Sequence, residues 1–298
     1  MKNRRQNVID TAHKLFIEKG YQATSIQDIL DGSGISKGTF YNYFPSKGEL
    51  FIAIFRSFYK RIRHDREKLL DGQDSADIEI FIQQLELQMM GNKQSKLLIL
   101  IEEVRVSNDE ELKQFINQIL LLSIRWMHGR FLDIFGESKK NYLLDCVIIF
   151  HSMMTHMNYF NHKANEVPKP EIQIIRYCMN RIIQTVDEAA KSKEQILDPD
   201  LMDTWFPKFE NNLYPCHNDL LKATLELKKA INTAFPCGEN RIRAIELVDF
   251  IQDELMQSDT PRRFLIESLL LTLKNQYSEQ VQTYMKDFEE SINACLVQ

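Results

Sequence analysis

A helix-type spacing of apolar residues runs through almost the whole chain, and it is the feature that most limits the possible fold. Apolar side chains recur three and four residues apart, with little of the strict alternation that marks strands. Only 10 glycines and 8 prolines interrupt this pattern in 298 residues, and 44% of the residues are hydrophobic. A chain of this length and composition can fill sizeable cores. The sequence therefore predicts an all-α protein in which disorder does not dominate.

Four helices are predicted within roughly the first 60 residues. The first runs from about Arg4 to Lys19 and ends at Gly20, because glycine readily takes the left-handed conformation at a helix C-terminus. Serine and threonine hydroxyls can accept hydrogen bonds from the free N–H groups of a helix start. The candidate caps are Thr24 or Ser25 for the second helix, Ser36 for the third and Ser46 for the fourth.

Longer helices follow, and changes in composition divide the chain into three parts. The predicted middle helices are Asp77 to Met90, Gln94 to Ser107, Glu110 to Phe135, Lys140 to His162 and Glu171 to Lys191. A proline-bearing link follows, and then helices are predicted at Asp219 to Phe235, Glu239 to Gln257 and Pro261 to Cys295. The predicted domains are 1–62, 63–191 and 192–298.

The charge is distributed unevenly along the chain. Up to Arg66 there are 12 Lys and Arg against 6 Asp and Glu, whereas the remainder holds 25 against 36. A basic N-terminal part on an acidic body is typical of proteins whose N-terminal part meets a polyanion. Many soluble proteins also have one basic end, so the charge alone does not decide the partner.

Several classes of protein are disfavoured by what the sequence does not contain. The longest apolar runs, such as Leu97 to Ile101, are far shorter than the roughly 20 residues that a bilayer requires, and no secretory leader is recognisable. The five cysteines form no C-x-x-C pair, which favours reduced thiols over a disulfide framework or a zinc site. We therefore expect a cytoplasmic protein without a membrane partner, a metal or another cofactor.

The segment SGISKGTFYNYFPSKGEL, from Ser33 to Leu50, contains the most informative helix. At about 100° per residue, Phe40 and Phe44 share one face, while Gly38, Thr39 and Asn42 lie opposite them. Tyr41 and Tyr43 lie on the flanks of the exposed face. Small, hydrogen-bonding and phenolic side chains suit the major groove of DNA, with this helix as the second of a helix-turn-helix unit. Tyrosines that pack at a half-buried surface would give the same pattern.

The segments TAHKLFIEKGYQATSIQDIL and GISKGTFYNYFPSKGELF together resemble the DNA-binding domain of the TetR family of bacterial transcriptional regulators. The resemblance covers about Arg4 to Lys60. Two features depart from it: ILDGSG stands where the family more often has small residues such as alanine, and Tyr43 stands where histidine is common. Neither departure removes a core residue, but both bear on operator preference.

The resemblance implies which residues meet DNA. Thr24, Ser25, Lys37, Tyr41 and Lys47 would hold phosphates, and Thr39, Asn42 and Tyr43 would face the bases. Gly38 would allow the backbone to approach closely, and Ser36 would start the reading helix. Phosphate contacts would supply most of the affinity and its salt dependence, whereas base contacts would select the site.

The resemblance also implies a larger helical domain that binds a small molecule and forms a homodimer. The predicted dimer residues are Phe150, Met154, Ile175, Cys178 and Ile182. The predicted pocket residues are Trp126, Met127, Phe131, Met153 and Met157. Both groups have the same alternative explanation, which is the ordinary core of a single chain. Residues 192–298 exceed the usual length of the family, and their role is left open.

The predicted function is that of a homodimeric repressor, which a small apolar or amphiphilic effector releases from a palindromic operator. Cationic amphiphiles and fatty-acyl effectors both fit the composition. The alternative is an architectural or interaction protein that binds DNA without an effector. An enzyme is not expected, because GSGISKGT, from Gly32 to Thr39, has neither the glycine spacing nor the preceding strand of a phosphate-binding loop.

Overall fold

The computed structural model describes residues 4–164, 166–202, 217–235, 239–257, 261–276 and 281–296. These residues contain thirteen α-helices and no strand, which confirms the all-α prediction. The helices are α1 (Arg4–Lys19), α2 (Ile26–Ser33), α3 (Lys37–Tyr43), α4 (Lys47–Leu70), α5 (Ile78–Ser95), α6 (Leu97–Arg105), α7 (Glu110–Phe135), α8 (Lys140–Ala164), α9 (Glu171–Ser192), α10 (His217–Ala234), α11 (Glu239–Gln257), α12 (Arg263–Gln276) and α13 (Gln282–Leu296).

An aromatic core holds the first four helices together. Phe16 at the end of α1 contacts Tyr21 edge-to-face, with the ring centroids 5.2 Å apart, and Tyr21 contacts Phe51 at 5.0 Å. Phe40 and Phe44 are buried at 0% and 2% exposure, as their shared face predicts. Aromatic pairs in these geometries stabilise a core beyond the effect of their buried area alone. α2 and α3 are therefore fixed on α1 and on the start of α4.

Helix α4 continues without a break from this N-terminal core into the rest of the first unit. It spans Lys47–Leu70 and packs against α1, α5 and α7. The chain divides into two compact units, 1–205 and 206–298, so the predicted boundary at residues 62 and 63 falls inside α4 and inside the first unit. The division between domains 1–62 and 63–191 therefore remains a prediction about function.

The remainder of the first unit is built on α5, α7, α8 and α9. Phe81, Phe131 and Phe150 form its aromatic centre, with centroid distances of 5.5 to 6.1 Å. Beyond α9, the Asp145 carboxylate of α8 accepts hydrogen bonds from the N–H groups of Ile196 and Leu197. The chain after residue 192 thus continues to pack on the first unit before the second begins.

The second unit has its own core, formed by α10 to α13. Its centre consists of buried residues that recur at helical spacing, namely Leu220, Leu227, Ile231, Val248, Ile251, Leu273, Phe288 and Ile292. The single helix predicted from Pro261 to Cys295 is wrong, because α12 and α13 are separate helices. Cys146 and Cys178 are free and buried, but Cys295 is disulfide-bonded, so the expectation of reduced thiols fails there.

Candidate nucleic-acid interface

A helix-turn-helix unit is formed by α2 and α3. Helix α2 ends at Gly34, which has a φ of 67° and donates its N–H to the Leu30 carbonyl. Ser36 begins α3, and its hydroxyl accepts a hydrogen bond from the Thr39 N–H at 3.2 Å. The left-handed glycine reverses the chain, and the serine cap then restarts it as a helix. Two sequence signals, Gly34 and Ser36, thus fix the angle at which α3 projects.

The outward face of α3 is the one that the helical angles predict. Lys37, Gly38 and Asn42 are exposed, and Tyr41 keeps 43% of its surface accessible. Among the described residues, nothing lies within 4 Å of a Cβ atom placed on Gly38. The open space at Gly38 therefore serves no packing need of the described protein, and it leaves room for a flat surface such as base edges to approach the backbone.

Thr39 and Tyr43 lie at the edge of this face and are half-buried. The Thr39 hydroxyl is 2.9 Å from that of Ser36, and the Tyr43 ring contacts Phe44 with the centroids 6.3 Å apart. Their positions are consistent with partial contact to a groove. Ser36 itself is exposed and forms the N-cap of α3, which is the helix start that the sequence predicts for it.

Thr24 does not fit its predicted role. Its side chain is fully buried, and its hydroxyl donates to the Gly20 carbonyl at 2.7 Å and to the Leu15 carbonyl at 3.3 Å. A buried hydroxyl that is already bonded to two carbonyls is not available to a phosphate. We conclude that Thr24 closes the turn between α1 and α2, and that the prediction of a phosphate contact from its side chain is wrong.

Lys47 is also engaged within the protein. Its ammonium donates to the carbonyls of Tyr21 at 2.9 Å and Thr24 at 3.0 Å, and it lies 4.5 Å from the centroid of the Tyr21 ring. Burial lowers the pKa of Lys47, while the Glu103 carboxylate acts in the opposite direction. A phosphate would have to displace these carbonyls, so the predicted phosphate role of Lys47 does not fit this arrangement.

Ser25 caps α2 in a capping box with Asp28. The Asp28 N–H donates to the Ser25 hydroxyl at 3.1 Å, and the Ser25 N–H donates to the Asp28 carboxylate at 2.8 Å. Hydrogen bonds from the Lys19 ammonium and then from Ser25 hold the pKa of Asp28 well below its usual range. Ser25 is exposed, but the carboxylate occupies the positive end of α2 and makes it a weaker site for phosphate.

One residue outside the sequence predictions, Glu103, connects this turn to the body of the first unit, which comprises α5 to α9. The Glu103 carboxylate of α6 accepts hydrogen bonds from the N–H groups of Tyr21 and Gln22, both at 2.9 Å. Lys47 satisfies carbonyls of the same turn, so the backbone between α1 and α2 is held from both sides. Because Glu103 is more than 80 residues away along the chain, spacing alone could not have identified it.

An open cleft of about 790 Å³ lies beside this contact. Its lining includes Tyr21, Lys47, Glu103, Asp109 and Glu110. Burial, followed by the charges of Asp109, Glu103 and Glu111, raises the pKa of Tyr21 to about 12. The cleft therefore has an acidic character, with Lys47 as the cation in its lining.

Two arginines at the start of α1 were also missed. Arg4 is exposed, and the Arg5 guanidinium lies 5.0 Å from the centroid of the Phe44 ring, next to the end of α3. The sequence signal was available, since both belong to the basic run near the N-terminus that gives this part its positive charge. The Arg5 cation therefore lies next to the end of α3.

The predicted pocket residues differ in their burial. Met127 and Phe131 are fully buried in the core, and Trp126 packs on Phe81 with the centroids 5.6 Å apart. Met153 is half-buried, and Met157 keeps 42% of its surface exposed on α8. The five residues therefore fall into an interior group and an outer group, because α7 and α8 carry apolar side chains on more than one face.

The predicted dimer residues are also misplaced. Phe150, Ile175, Cys178 and Ile182 have no exposed surface, and Met154 keeps only 8%. They contribute to the packing of α8 on α9 and on the aromatic centre within one chain, so a partner cannot reach them. Within the described chain these five residues belong to the intramolecular core, which is the alternative explanation given for them above.

The described parts of the chain contain no group of three or more His, Cys, Asp or Glu side chains arranged to hold a metal ion. Within those parts, no helix is both long enough and apolar enough to cross a membrane.

The exposed reading face on a helix-turn-helix unit defines the class of the protein as a DNA-binding regulator. Comparison with known proteins specifies the type of DNA-binding domain. Residues 8–54 match the family described as bacterial regulatory proteins, tetR family. The chain therefore carries a TetR-type DNA-binding domain at its N-terminus, followed by a long C-terminal region.

The relatives extend the similarity beyond the DNA-binding domain. The uncharacterized HTH-type transcriptional regulator YerO of Bacillus subtilis is 27% identical over 95% of this chain and 93% of its own length. YuxN of the same organism is 24% identical over 92% of both chains. The HTH-type transcriptional repressor KstR2 of Mycobacterium tuberculosis is 39% identical over 56 residues, which are 19% of this chain and 28% of its own. No solved structure gave a significant match.

Proposed function

We propose that the protein is a homodimeric repressor that reads a palindromic operator with α3 and is released from it by a small-molecule effector. The exposed face of α3 carries this proposal, because it presents Gly38 and Asn42 outward on a helix whose other face is fixed by Phe40. Asn is a side chain that can form paired hydrogen bonds with adenine in the major groove. The protein would act in the cytoplasm, where its DNA lies.

The phosphate contacts are assigned differently from the initial prediction. Lys37 and Tyr41 remain, since both are exposed beside the reading face. Arg4 and Arg5 replace Thr24 and Lys47, whose polar groups are engaged at the turn between α1 and α2. Cations and hydroxyls at these positions would fix the register of α3 on the duplex without selecting its sequence.

Fluorescence anisotropy tests the reading role with a matched pair of variants. Purified protein is titrated onto its own upstream promoter DNA and onto a scrambled duplex across a salt series. Tyr41→Ala is expected to weaken binding to both duplexes, because it removes a phosphate contact. Asn42→Ala is expected to lower affinity for the native duplex by about five- to a hundredfold, the effect of losing one good base contact, with little change on the scrambled one.

The outcomes of this titration separate the candidate functions. Equal losses on both duplexes for Asn42→Ala would contradict a base contact. Equal weak binding of the unmodified protein to the promoter and the scrambled DNA would call for a selection from random sequences. If that selection also returned no preferred site, the architectural DNA-binding alternative would replace the sequence-reading repressor.

The proposed dimer uses the outer faces of α8 and α9. Ile149, Met153 and Phe160 recur four and seven residues apart on α8, so they lie on one side of the helix. Ile149 is 47% exposed and Phe160 is 56% exposed, and Tyr177 of α9 is 45% exposed. An exposed apolar stripe of this kind is typical of a surface that a second protein covers. The family resemblance supports a second copy of the chain as the partner.

Ile149→Glu is expected to weaken the dimer by about tenfold or more, because it replaces a buried apolar contact with a buried charge. Sedimentation velocity over a concentration series measures the dissociation constant. Ile99→Glu is the matched control, since Ile99 is 61% exposed on α6, away from the proposed surface. A dimer that Ile149→Glu leaves unchanged would place the interface elsewhere.

Helix α4 and Glu103 are proposed to transmit the effect of effector binding to the DNA-binding helices. Residues of α4 contact both the N-terminal core and the body, and Glu103 joins α6 to the turn before α2. An effector that favours one position of the body helices would therefore shift both reading helices of the dimer. Half-sites have a fixed separation on the duplex, so a change of a few ångströms in the spacing of the reading helices lowers affinity.

A further inference from the structure

Two arginine side chains are buried inside the body of the first unit. Arg66 of α4 is 2% exposed and Arg130 of α7 is 4% exposed. Arginine is almost never fully buried unless its charge is paired, and its guanidinium stays protonated in proteins. The groups that surround these two cations therefore indicate which kind of ligand the interior of this part of the protein can bind.

Arg66 is only partly satisfied by its neighbours. One terminal nitrogen donates to the Gln88 side-chain oxygen at 2.8 Å, and the guanidinium stacks 3.8 Å from the centroid of the Trp126 ring. Tyr59 and Glu67 also interact with it. Among the described residues, its buried Nε has no hydrogen-bond partner.

The Glu67 carboxylate interacts with Arg66 and also with a second arginine, Arg63. Its Oε1 accepts a hydrogen bond from the Arg63 Nε at 3.0 Å. In the part of the chain that the structure describes, its other oxygen is buried without a partner. Burial is the main reason that the pKa of Glu67 is raised and the pKa of Arg66 is lowered, which means that both charged forms lose solvation here.

Arg130 lies next to Phe81, the ring that packs on Trp126. It donates to the Gln84 side chain at 3.0 Å, to the Ser75 carbonyl at 2.6 Å and to the Asp133 carboxylate at 2.7 Å. Its guanidinium lies 5.9 Å from the centroid of the Phe81 ring. Its Nη2 is buried and has no acceptor within the described ranges.

The two guanidiniums belong to one connected cluster. The Phe81 ring lies 5.6 Å from Trp126, so each ring of this pair has an arginine next to it. The Gln84 side chain accepts a hydrogen bond from Arg130 and donates to the backbone carbonyl of Arg66 at 2.8 Å. The cluster therefore combines a pair of packed aromatic rings with two buried N–H donors on cations that have no acceptor among the described residues.

The unpaired donors of the cluster favour an anion. Arg66 and Arg130 each have a buried nitrogen without an acceptor among the described residues. Leaving a buried N–H unpaired is unfavourable, and a guanidinium binds an anion through charge-assisted hydrogen bonds. An incoming cation would instead be repelled by both guanidiniums.

We propose that the effector is an amphiphile with an anionic head, either carboxylate or phosphate, that binds Arg66 and Arg130 while its apolar part packs on Phe81 and Trp126. This proposal rests on the ligand response in the proposed function. The sequence is compatible with both cationic amphiphiles and fatty-acyl effectors, and this proposal excludes the cationic amphiphiles. The acidic cleft at Glu103 and Asp109 is not the site, because it would repel the same head group.

The position of Arg66 gives the anion a direct connection to DNA binding. Arg66 and Lys47 lie on the same continuous helix, 19 positions apart, or about 28 Å along its axis. A ligand that binds only at one separation of α4 and α7 would stabilise that separation. Binding would therefore shift the position of α4. The effect reaches the turn that Lys47 and Glu103 hold, and from there the reading helix.

Four ligands with the same octyl chain test the head-group preference on the full-length protein: octanoate, octyl phosphate, octanol and octyltrimethylammonium, all below their micelle concentrations. Binding is measured by calorimetry, and release from promoter DNA by anisotropy. We expect at least one of the two anions to bind about tenfold or more tighter than octanol, and the cation to bind no better than octanol. The comparison of octanoate with octyl phosphate identifies the head group.

Variants of the cluster test the site itself. Arg66→Met is expected to reduce anion binding to the level of octanol, and Arg130→Met serves as a second variant if Arg66→Met does not fold. Arg105→Met is the matched control, since Arg105 is exposed and pairs with Glu102 on its own helix. Equal binding of the anions and octanol, or anion binding that neither variant in the cluster changes, would overturn the proposal.

The same experiments distinguish an error about the anionic head group from an error about the ligand response itself. Anion binding that depends on Arg66 but leaves the protein on its promoter would support the site and contradict the ligand response. Release by octanol or by the cation would support the ligand response and overturn the anionic effector.

Discussion

Gly38→Ala is expected to abolish most of the sequence-specific DNA binding while leaving the protein folded. A Cβ atom at this position meets nothing within 4 Å in the described structure, so the variant has no clash within that part of the molecule. Alanine is also the better helix former, by up to about 1 kcal/mol. The added methyl group would separate the backbone of α3 from base edges and weaken several contacts together, each worth about 1–3 kcal/mol. We expect affinity for the operator to fall by about a hundredfold or more.

Gly129→Ala is the matched control for this variant. Gly129 is also exposed on a helix, and among the described residues its added Cβ atom meets nothing within 4 Å. Thermal unfolding and operator anisotropy are measured for both proteins. Both variants should have unchanged or slightly raised melting temperatures, and only Gly38→Ala should lose DNA binding. Operator affinity within about twofold of the unmodified protein would show that the α3 backbone does not approach the DNA closely.

Glu103→Gln is expected to loosen the connection between the body and the N-terminal helices. The carboxylate accepts hydrogen bonds from two N–H groups, whereas an amide would place its own NH2 group against one of them. Hydrogen bonds to charged groups contribute about 1.5–3 kcal/mol each, so the free energy of unfolding should fall by about 2 kcal/mol. Protection of the Tyr21 and Gln22 amides against hydrogen exchange should fall accordingly.

Glu102→Gln provides the control, because Glu102 is exposed and pairs only across one helical turn with Arg105 among the described contacts. Urea unfolding and hydrogen exchange are compared for both variants. The Glu103 variant should also bind its operator several-fold less tightly, since the spacing of the two reading helices is less fixed, while binding to scrambled DNA is unchanged. Equal effects of the two substitutions would mean that the hydrogen bonds to the turn do not hold the N-terminal helices.

Local signals in the sequence were sufficient to predict most of the N-terminal fold. Gly20 and Gly34 take positive φ angles at the ends of α1 and α2, and Ser25, Ser36 and Ser46 cap the three following helices. These features depend on residues within one helical turn of each other, so the sequence contains all the information they need. The outward face of α3 was predicted for the same reason, since Phe40 and Phe44 determine which side is buried.

The boundary between α5 and α6 could not be predicted in this way. The sequence placed a break around Gly91, but α5 continues through it to Ser95 and ends at Lys96, which has a φ of 53°. A Cβ atom on Gly91 would lie 2.4 Å from the Ile62 Cδ1, so this glycine permits the close contact of α5 with α4. Lysine has no special preference for the left-handed conformation, and its role as the break comes from tertiary packing.

The errors at the candidate site have a similar physical origin. Thr24 and Lys47 have side chains that suit phosphate, but folding brings backbone carbonyls of the turn within their reach, and these carbonyls take the hydrogen bonds. The inner apolar faces of α8 and α9, which include Phe150 and Ile175, were assigned to a dimer, whereas one chain already buries them. Which of two apolar faces is covered depends on neighbouring helices, and periodicity within one helix does not contain that information.

The contact between Glu103 and the turn has a consequence for how the family can diverge. Both of its donors are backbone N–H groups, so replacing the side chain of Tyr21 or Gln22 by that of any residue other than proline leaves the hydrogen bonds possible. Mutations at these two positions therefore need no compensating change at position 103. A search for correlated substitutions across homologues would miss this contact, even if it were essential in every one of them.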